Sequence, residues 1–374
     1  MEQSFIPKNR ILMGPGPSNV NPRVLEALKR PTIGHLDPQF IELMDDIKQL
    51  LQYTFQTDSN ATITLSGPGS LGMEASLVNL IEPEDKVLIG IGGYFAGRMK
   101  QIVEKIGGVP IVVEAEWGRA IDPQKIEESL KNNPDIKITA VVHAETSTGA
   151  LTDIKTISEI AHRYGSLLIA DVVTSLGTCE ILTKQWNLDA VYSCSQKGLS
   201  AMPGLSPISF SDAALQKIKN RTTPIKSWFN DLNLLMAYWS GEKRAYHHTA
   251  PANSFYGLHE AMLILKEEGL ENSWRRHKEN SVQLVKKLSS IGLEPLTPES
   301  ERIPNLITVK VPEGINEDVI RKKLLNDYSI EIGAGLGTLA GKVWRIGLMG
   351  YNSNEKMIEL LITSLKDALS NKII

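Results

Sequence analysis

Leu167-Leu168-Ile169-Ala170-Asp171 is an apolar run closed by a carboxylate, and further along Tyr192-Ser193-Cys194-Ser195-Gln196-Lys197 ends a second apolar run in a lysine. A short run without polar alternation reads as a strand covered on both faces, the kind found in parallel sheets. Open α/β sheets bind ligands at the carboxyl ends of their strands, where Asp171 and Lys197 both stand. Taken singly, Asp171 also reads as a helix cap and Lys197 as a solvated loop lysine.

The same texture spreads outward in both directions. Strand-like runs occur at residues 61–65, 86–91, 109–113, 138–143, 167–170, 190–194 and 208–210, with helical spacing at 73–81, 97–106, 123–130 and 154–164 between them. Alternating strands and helices predict a mostly parallel sheet with helices on both faces. After residue 255 the pattern changes to a long helical stretch, 256–288, then strands at 306–311 and 343–348 interleaved with helices at 318–328 and 355–369. The expected organisation is an N-terminal arm (1–20), a large domain (21–255) and a small C-terminal α+β domain (256–374). In the arm, Ser18 or Asn19 is expected to cap a helix starting near Pro22.

Composition narrows the partners. Forty basic against 43 acidic side chains leave a net charge of −3 with no long run of one sign, which gives no electrostatic reason for nucleic acid or an anionic membrane as partner. No uncharged apolar window is long enough to span a membrane. The two cysteines, Cys179 and Cys194, cannot build a disulfide framework or a four-thiolate zinc site. His247 and His248 are adjacent rather than one helical turn apart, so a metal reading is set aside. The opening Met1-Glu2-Gln3-Ser4-Phe5 does not read as a secretory signal, and Asn371-Lys372-Ile373-Ile374 does not match a Ser-Lys-Leu address, so the expected location is cytoplasmic.

Gly67-Pro68-Gly69-Ser70-Leu71-Gly72 follows a strand and opens a helix, a pattern whose backbone N–H groups and helix dipole hold phosphate. A dinucleotide fold would want an acid at the end of the next strand, which instead ends Gly90-Ile91-Gly92. A phosphate cradle, a carboxylate for a ring nitrogen and a lysine for a Schiff base are together what pyridoxal 5'-phosphate requires.

With these fixtures in place, the chain resembles the alanine–glyoxylate / serine–pyruvate aminotransferases of class V. The resemblance is carried by Gly14-Pro15-Gly16-Pro17-Ser18, His143-Ala144-Glu145-Thr146-Ser147-Thr148-Gly149, Asp171-Val172-Val173-Thr174-Ser175-Leu176-Gly177, Ser195-Gln196-Lys197, Pro203-Gly204, Tyr246-His247-His248-Thr249 and Trp344-Arg345-Ile346-Gly347-Leu348. It implies a fold-type-I pyridoxal phosphate enzyme with a seven-stranded sheet, acting as a homodimer on small amino acids and 2-oxo acids. Lys197 would carry the cofactor and shuttle the proton, and Asp171 would keep the ring nitrogen protonated. Val173 and Phe95 would pack on the two ring faces, and Gln196 and Thr146 would lie near the phenolic oxygen. Pro68, Gly69 and Ser70 would form the phosphate cradle, with Pro68 lacking the hydroxyl usual there, and Tyr246 and Thr249 would close it from the partner subunit. Arg345, with Thr146 and Gly16, would hold the substrate carboxylate.

Rival readings keep most of these motifs. They are an aminotransferase for 2-aminoethylphosphonate or pyridoxamine, and a cysteine desulfurase-like lyase, which needs a mobile thiol that neither cysteine resembles. A non-catalytic binding module would be expected to lose Lys197 or Asp171.

Overall fold

A computed structural model of the chain describes residues 4–241 and 243–370. The first three and last four residues, on which the leader and address expectations partly rest, lie outside the described residues.

Along the chain come β1 (Ile11–Leu12), α1 (Pro22–Ala27), α2 (Pro38–Phe55), β2 (Thr62–Ser66), α3 (Gly69–Leu80), β3 (Lys86–Ile91), α4 (Tyr94–Ile106), β4 (Val109–Glu114), α5 (Pro123–Asn132) and β5 (Ile136–Val142). A small hairpin of β6 (Ala144–Glu145) and β7 (Ala150–Leu151) precedes α6 (Ile154–Arg163), β8 (Leu167–Asp171), β9 (Ala190–Tyr192) and β10 (Leu205–Phe210). Then follow α7 (Asp212–Lys219), α8 (Leu232–Trp239), α9 (Ala252–Glu268), α10 (Leu270–Ser289), β11 (Leu306–Lys310), α11 (Glu317–Asp327), β12 (Ile330–Glu331), β13 (Gly333–Ala334), β14 (Val343–Gly347) and α12 (Glu355–Ser370).

The main sheet has seven strands in the order β2-β10-β9-β8-β5-β3-β4. Strands β4, β3, β5, β8 and β9 run parallel, and β10 is antiparallel to both β9 and β2. Its central strands are apolar along their whole length because helices cover both faces: Val87, Leu88, Ile89, Ile138, Ala140, Val141, Leu168, Ile169 and Ala170 are all fully buried. Since β2 points the same way as β9, the carboxyl ends of β2, β3, β5, β8 and β9 share one edge.

A second core gathers Met13, Leu284, Leu288, Ile307, Val309, Trp344, Ile346, Ile358, Leu361 and Leu365 around the sheet β11-β14-β13. The side chains change cores inside α10 rather than at residue 255, since Phe255, Leu258, Met262, Leu265 and Leu270 all pack in the large core. The expected single helix over 256–288 is two helices, because Gly269 adopts φ 85, which ends α9 and re-aims the chain into α10.

The arm is tied to both cores. β1 pairs in parallel with β12, and Met13 is buried in the small core. Asn21 caps α1, its side chain accepting from Arg23 N at 2.9 Å. The expected caps are used elsewhere: Ser18 Oγ donates to the Lys197 carbonyl at 2.9 Å, and Asn19 Oδ1 accepts from Leu12 N. Among the described residues, no helix is long and apolar enough to cross a membrane.

Candidate active site

Five loops leave the carboxyl edge of the main sheet and converge on one cleft. Its wall is made by Pro68, Gly69, Ser70, Met73, Phe95, Arg98, Val142, Ala144, Thr146, Asp171, Val173, Thr174, Cys194, Gln196 and Lys197.

Asp171 ends β8 in register with Tyr192 of the parallel neighbour β9. Tyr192 donates its hydroxyl to Asp171 Oδ2 at 2.7 Å, and Val173 N–H donates to Oδ1 at 2.8 Å. Burial pushes the Asp171 carboxyl up to about 7, with those two donors and Lys197 pulling the other way and Glu145 adding to the rise. Val173 lies beyond the strand end, in a turn that folds back onto Asp171, so it reaches the cleft from the turn and not from the strand face. Lys197 is five residues past β9; its amine donates to the Pro15 carbonyl. Burial lowers the Lys197 pKa, with Cys194 and Asp171 opposing and Arg345 assisting. Gly16 passes so close that a Cβ there would sit 2.5 Å from Lys197 Nζ and displace that side chain, and its φ of 114 disfavours any residue but glycine.

Arg345, in the middle of β14, reaches across from the small domain. It donates through Nε to the Ala334 carbonyl at 2.6 Å and through Nη1 to the Thr146 carbonyl at 3.2 Å. Burial lowers its pKa to about 10, Glu145 opposing, and among the described residues it has no carboxylate within ion-pair distance.

Glu145 lies in the His143–Gly149 motif, where the sequence alone assigns it no role. It is buried, accepts from Ser147 Oγ at 2.6 Å and Ser147 N at 3.1 Å, and caps α4 by accepting from Phe95 N at 3.2 Å and Ala96 N at 3.4 Å. Burial raises its pKa against all four donors. Phe95, one residue into α4, therefore enters the cleft on a helix whose start is held by the loop after β5. Tyr192 was likewise missed, although two strands ending in register would have placed it beside Asp171.

The start of α3 is built differently. Pro68 precedes it without a side-chain cap, its first turn holds no acid, and among the described residues the Gly69 and Ser70 amides meet no acceptor. Ser70 Oγ accepts from Arg98 Nη1 at 2.8 Å. Among the described residues, Gln196 Oε1 is buried without a partner. Tyr246 and Thr249 do not line the cleft of their own chain; both are exposed, their hydroxyls 3.5 Å apart, and the Tyr246 ring lies 5.1 Å from that of His35. His248 bonds Ser66 Oγ at 2.6 Å and His247 stacks on Trp228, and among the described residues no group of three metal-ligating side chains forms. Cys194 sits past the end of β9, not inside a strand as expected, and burial pushes its thiol up to about 11 and that of Cys179 to about 12.

A sheet edge carrying a half-buried lysine, a buried carboxylate and an open helix start defines a class of enzyme rather than one activity. The family model of aminotransferase class-V matches residues 12–360, and the chain belongs to that family. The alanine–glyoxylate aminotransferase of Rattus norvegicus is 41% identical over 369 residues, 98% of this chain and 89% of its own. The crystal structure of the alanine–glyoxylate aminotransferase of Nostoc sp. superposes with a TM-score of 0.96 at 43% identity, covering 99% of this chain and 97% of that one. The (S)-ureidoglycine–glyoxylate transaminase of Bacillus subtilis is 35% identical over 96% of this chain and 90% of its own. A cysteine desulfurase from Thermococcus onnurineus, at 13% identity and TM-score 0.76, shares the fold alone.

Proposed function

We propose that the protein is a pyridoxal 5'-phosphate-dependent aminotransferase, a homodimer that moves the amino group of alanine or serine to glyoxylate or pyruvate in two half-reactions through one site. The observation that carries the substrate class is Arg345: a buried guanidinium with no acid partner, fixed by two carbonyls so that its remaining N–H groups are free for an α-carboxylate. The names and likeness of the relatives support the same reading.

The residues present fit the cofactor. The unacceptored amides of Gly69 and Ser70 suit a phosphate, Asp171 suits a cationic ring nitrogen, and the unpartnered Gln196 oxygen shows a side chain without a protein partner in the same wall. When bound, pyridoxal phosphate supplies a ring that takes up the electron pair left as the substrate Cα–H bond breaks. Burial, which disfavours the charged form, lowers the Lys197 pKa towards the neutral amine that would take and return that proton at Cα. Asp171, oriented by the Tyr192 hydroxyl and the Val173 N–H, would keep a ring nitrogen protonated. Phe95 and Val173, both in the cleft wall, would pack against the ring, and Thr146 and Gly16 would bound the substrate space. Tyr246 and Thr249, exposed on their own subunit, close the partner's cradle.

The test is a panel of alanine, serine, ureidoglycine, pyridoxamine and 2-aminoethylphosphonate against glyoxylate, pyruvate and 2-oxoglutarate, following the cofactor absorbance in each half-reaction. Alanine or serine with glyoxylate or pyruvate should be fastest. Arg345→Lys keeps charge but loses the planar two-bond contact, so α-amino acid donors should slow by roughly two orders of magnitude while donors without an α-carboxylate change little. A parent that prefers an amine lacking the carboxylate moves the assignment to the rival substrate class.

A further inference from the structure

Arg98 is a cation of the cleft without an anion. It stands one turn after Phe95 on α4, so the two side chains leave the same helix face. Its Nη1 donates to Ser70 Oγ at 2.8 Å, and its guanidinium carbon lies 5.3 Å from the Phe95 ring centre and 5.6 Å from that of Tyr94. Among the described residues it forms no ion pair, so most of its five N–H donors face no acceptor. The other cation in the cleft wall, Lys197, points to the Pro15 carbonyl in the arm.

The anion it suits follows from its neighbours. The Gly69 and Ser70 amides at the start of α3 meet no acceptor, and Pro68 offers neither an N–H nor a hydroxyl. A helix start alone carries about half a unit of positive charge, less than a phosphate monoester needs. The first amides of α4 are already taken by the Glu145 carboxyl oxygen, so they are not open to an anion.

We propose that Arg98 is the cation of the cofactor-phosphate site, holding the phosphate ester of pyridoxal phosphate together with the Gly69 and Ser70 amides and making good the donor that Pro68 lacks. Ser70, accepting from Arg98, keeps its own O–H free to donate to the same phosphate. The inference rests on the cofactor reading above but assigns a residue that neither the motifs nor that reading used.

The experiment titrates cofactor-free protein with pyridoxal 5'-phosphate and, separately, with pyridoxal, which lacks the phosphate, reading the absorbance of the bound chromophore. Arg98→Gln should weaken pyridoxal phosphate by roughly 10- to 100-fold, the range expected for a lost charged hydrogen bond, and leave pyridoxal within about threefold. Arg98→Lys should recover part of the loss, and Pro68→Ser should lessen the penalty of Arg98→Gln by restoring a hydroxyl. The phosphorus resonance of the bound cofactor should shift in the Arg98→Gln protein.

Equal weakening of both ligands, or unchanged cofactor affinity with a raised KM for the amino donor, would overturn the assignment, the second outcome placing Arg98 on the substrate instead. Should Arg98→Gln fail to fold, the pyridoxal phosphate to pyridoxal affinity ratio of Arg98→Lys and Pro68→Ser decides it by the same comparison. A parent that binds neither ligand would overturn the cofactor reading itself, a result distinct from failure at Arg98.

Discussion

Asp171 is where burial and chemistry pull against each other most strongly. Its carboxyl ordinarily titrates near 3.8 and is pushed up to about 7 by burial. Between those values the folded, cofactor-free protein keeps a proton that the unfolded chain has lost, so this group's contribution to stability declines as pH rises from about 4 to about 7. A cationic ring nitrogen lodged beside it would remove that penalty. In urea unfolding of cofactor-free protein at pH 5 and pH 8, Asp171→Asn should therefore show a smaller decline than the parent, with Glu145 contributing equally to both. Equal declines would place the burial cost elsewhere. At this scale Lys197, Asp171 and Arg345 were legible because each ends or interrupts an apolar run with a charge. Tyr192 and Glu145 were not, since their partners at Asp171 and at the Phe95 and Ala96 amides lie 21, 50 and 49 residues away.

Two helices start at the same sheet edge and are finished by opposite means. α4 has Glu145 and Ser147 on its first amides, Ser147 Oγ accepting from Tyr94 N at 2.9 Å, whereas the first amides of α3 stand open. The first arrangement stabilises a helix and the second prepares an anion site. Glu145→Ala would leave the Phe95, Ala96 and Ser147 amides buried without acceptors, and should cost about 2 to 3 kcal/mol in chemical denaturation. It should also loosen Phe95, read as a change in the circular dichroism of the bound cofactor; a variant as stable as the parent would show that water serves these amides equally well. Sequence reading put most strands and helices within a few residues, β3 over its whole length at 86–91. It misjudged α1's cap and ran α9 into α10, because competition between Ser18, Asn19 and Asn21, and the φ of Gly269, depend on contacts that local pattern does not contain.

Across the whole molecule the site is assembled from separate parts: the arm brings Gly16 to Lys197, and the small domain brings Arg345 to the Thr146 carbonyl. If a second copy completes the phosphate cradle with Tyr246 and Thr249, cofactor binding and dimerisation must stabilise each other. Dilution should then release cofactor, and Tyr246→Phe and Thr249→Ala should each weaken it by about tenfold, on the order of one lost hydrogen bond apiece. Sedimentation that finds a monomer holding cofactor as tightly as the parent dimer would sink this arrangement. The order of strands and helices, the open edge of the sheet and the charged residues standing on it are written in the chain, because the period of apolar residues and the placing of glycine and charge act locally. Which charges meet is a matter of packing. Arg345 lies 199 residues from Thr146 and Arg98 lies 28 from Ser70, and closing such distances depends on how two cores and seven strands stack, which no local pattern encodes.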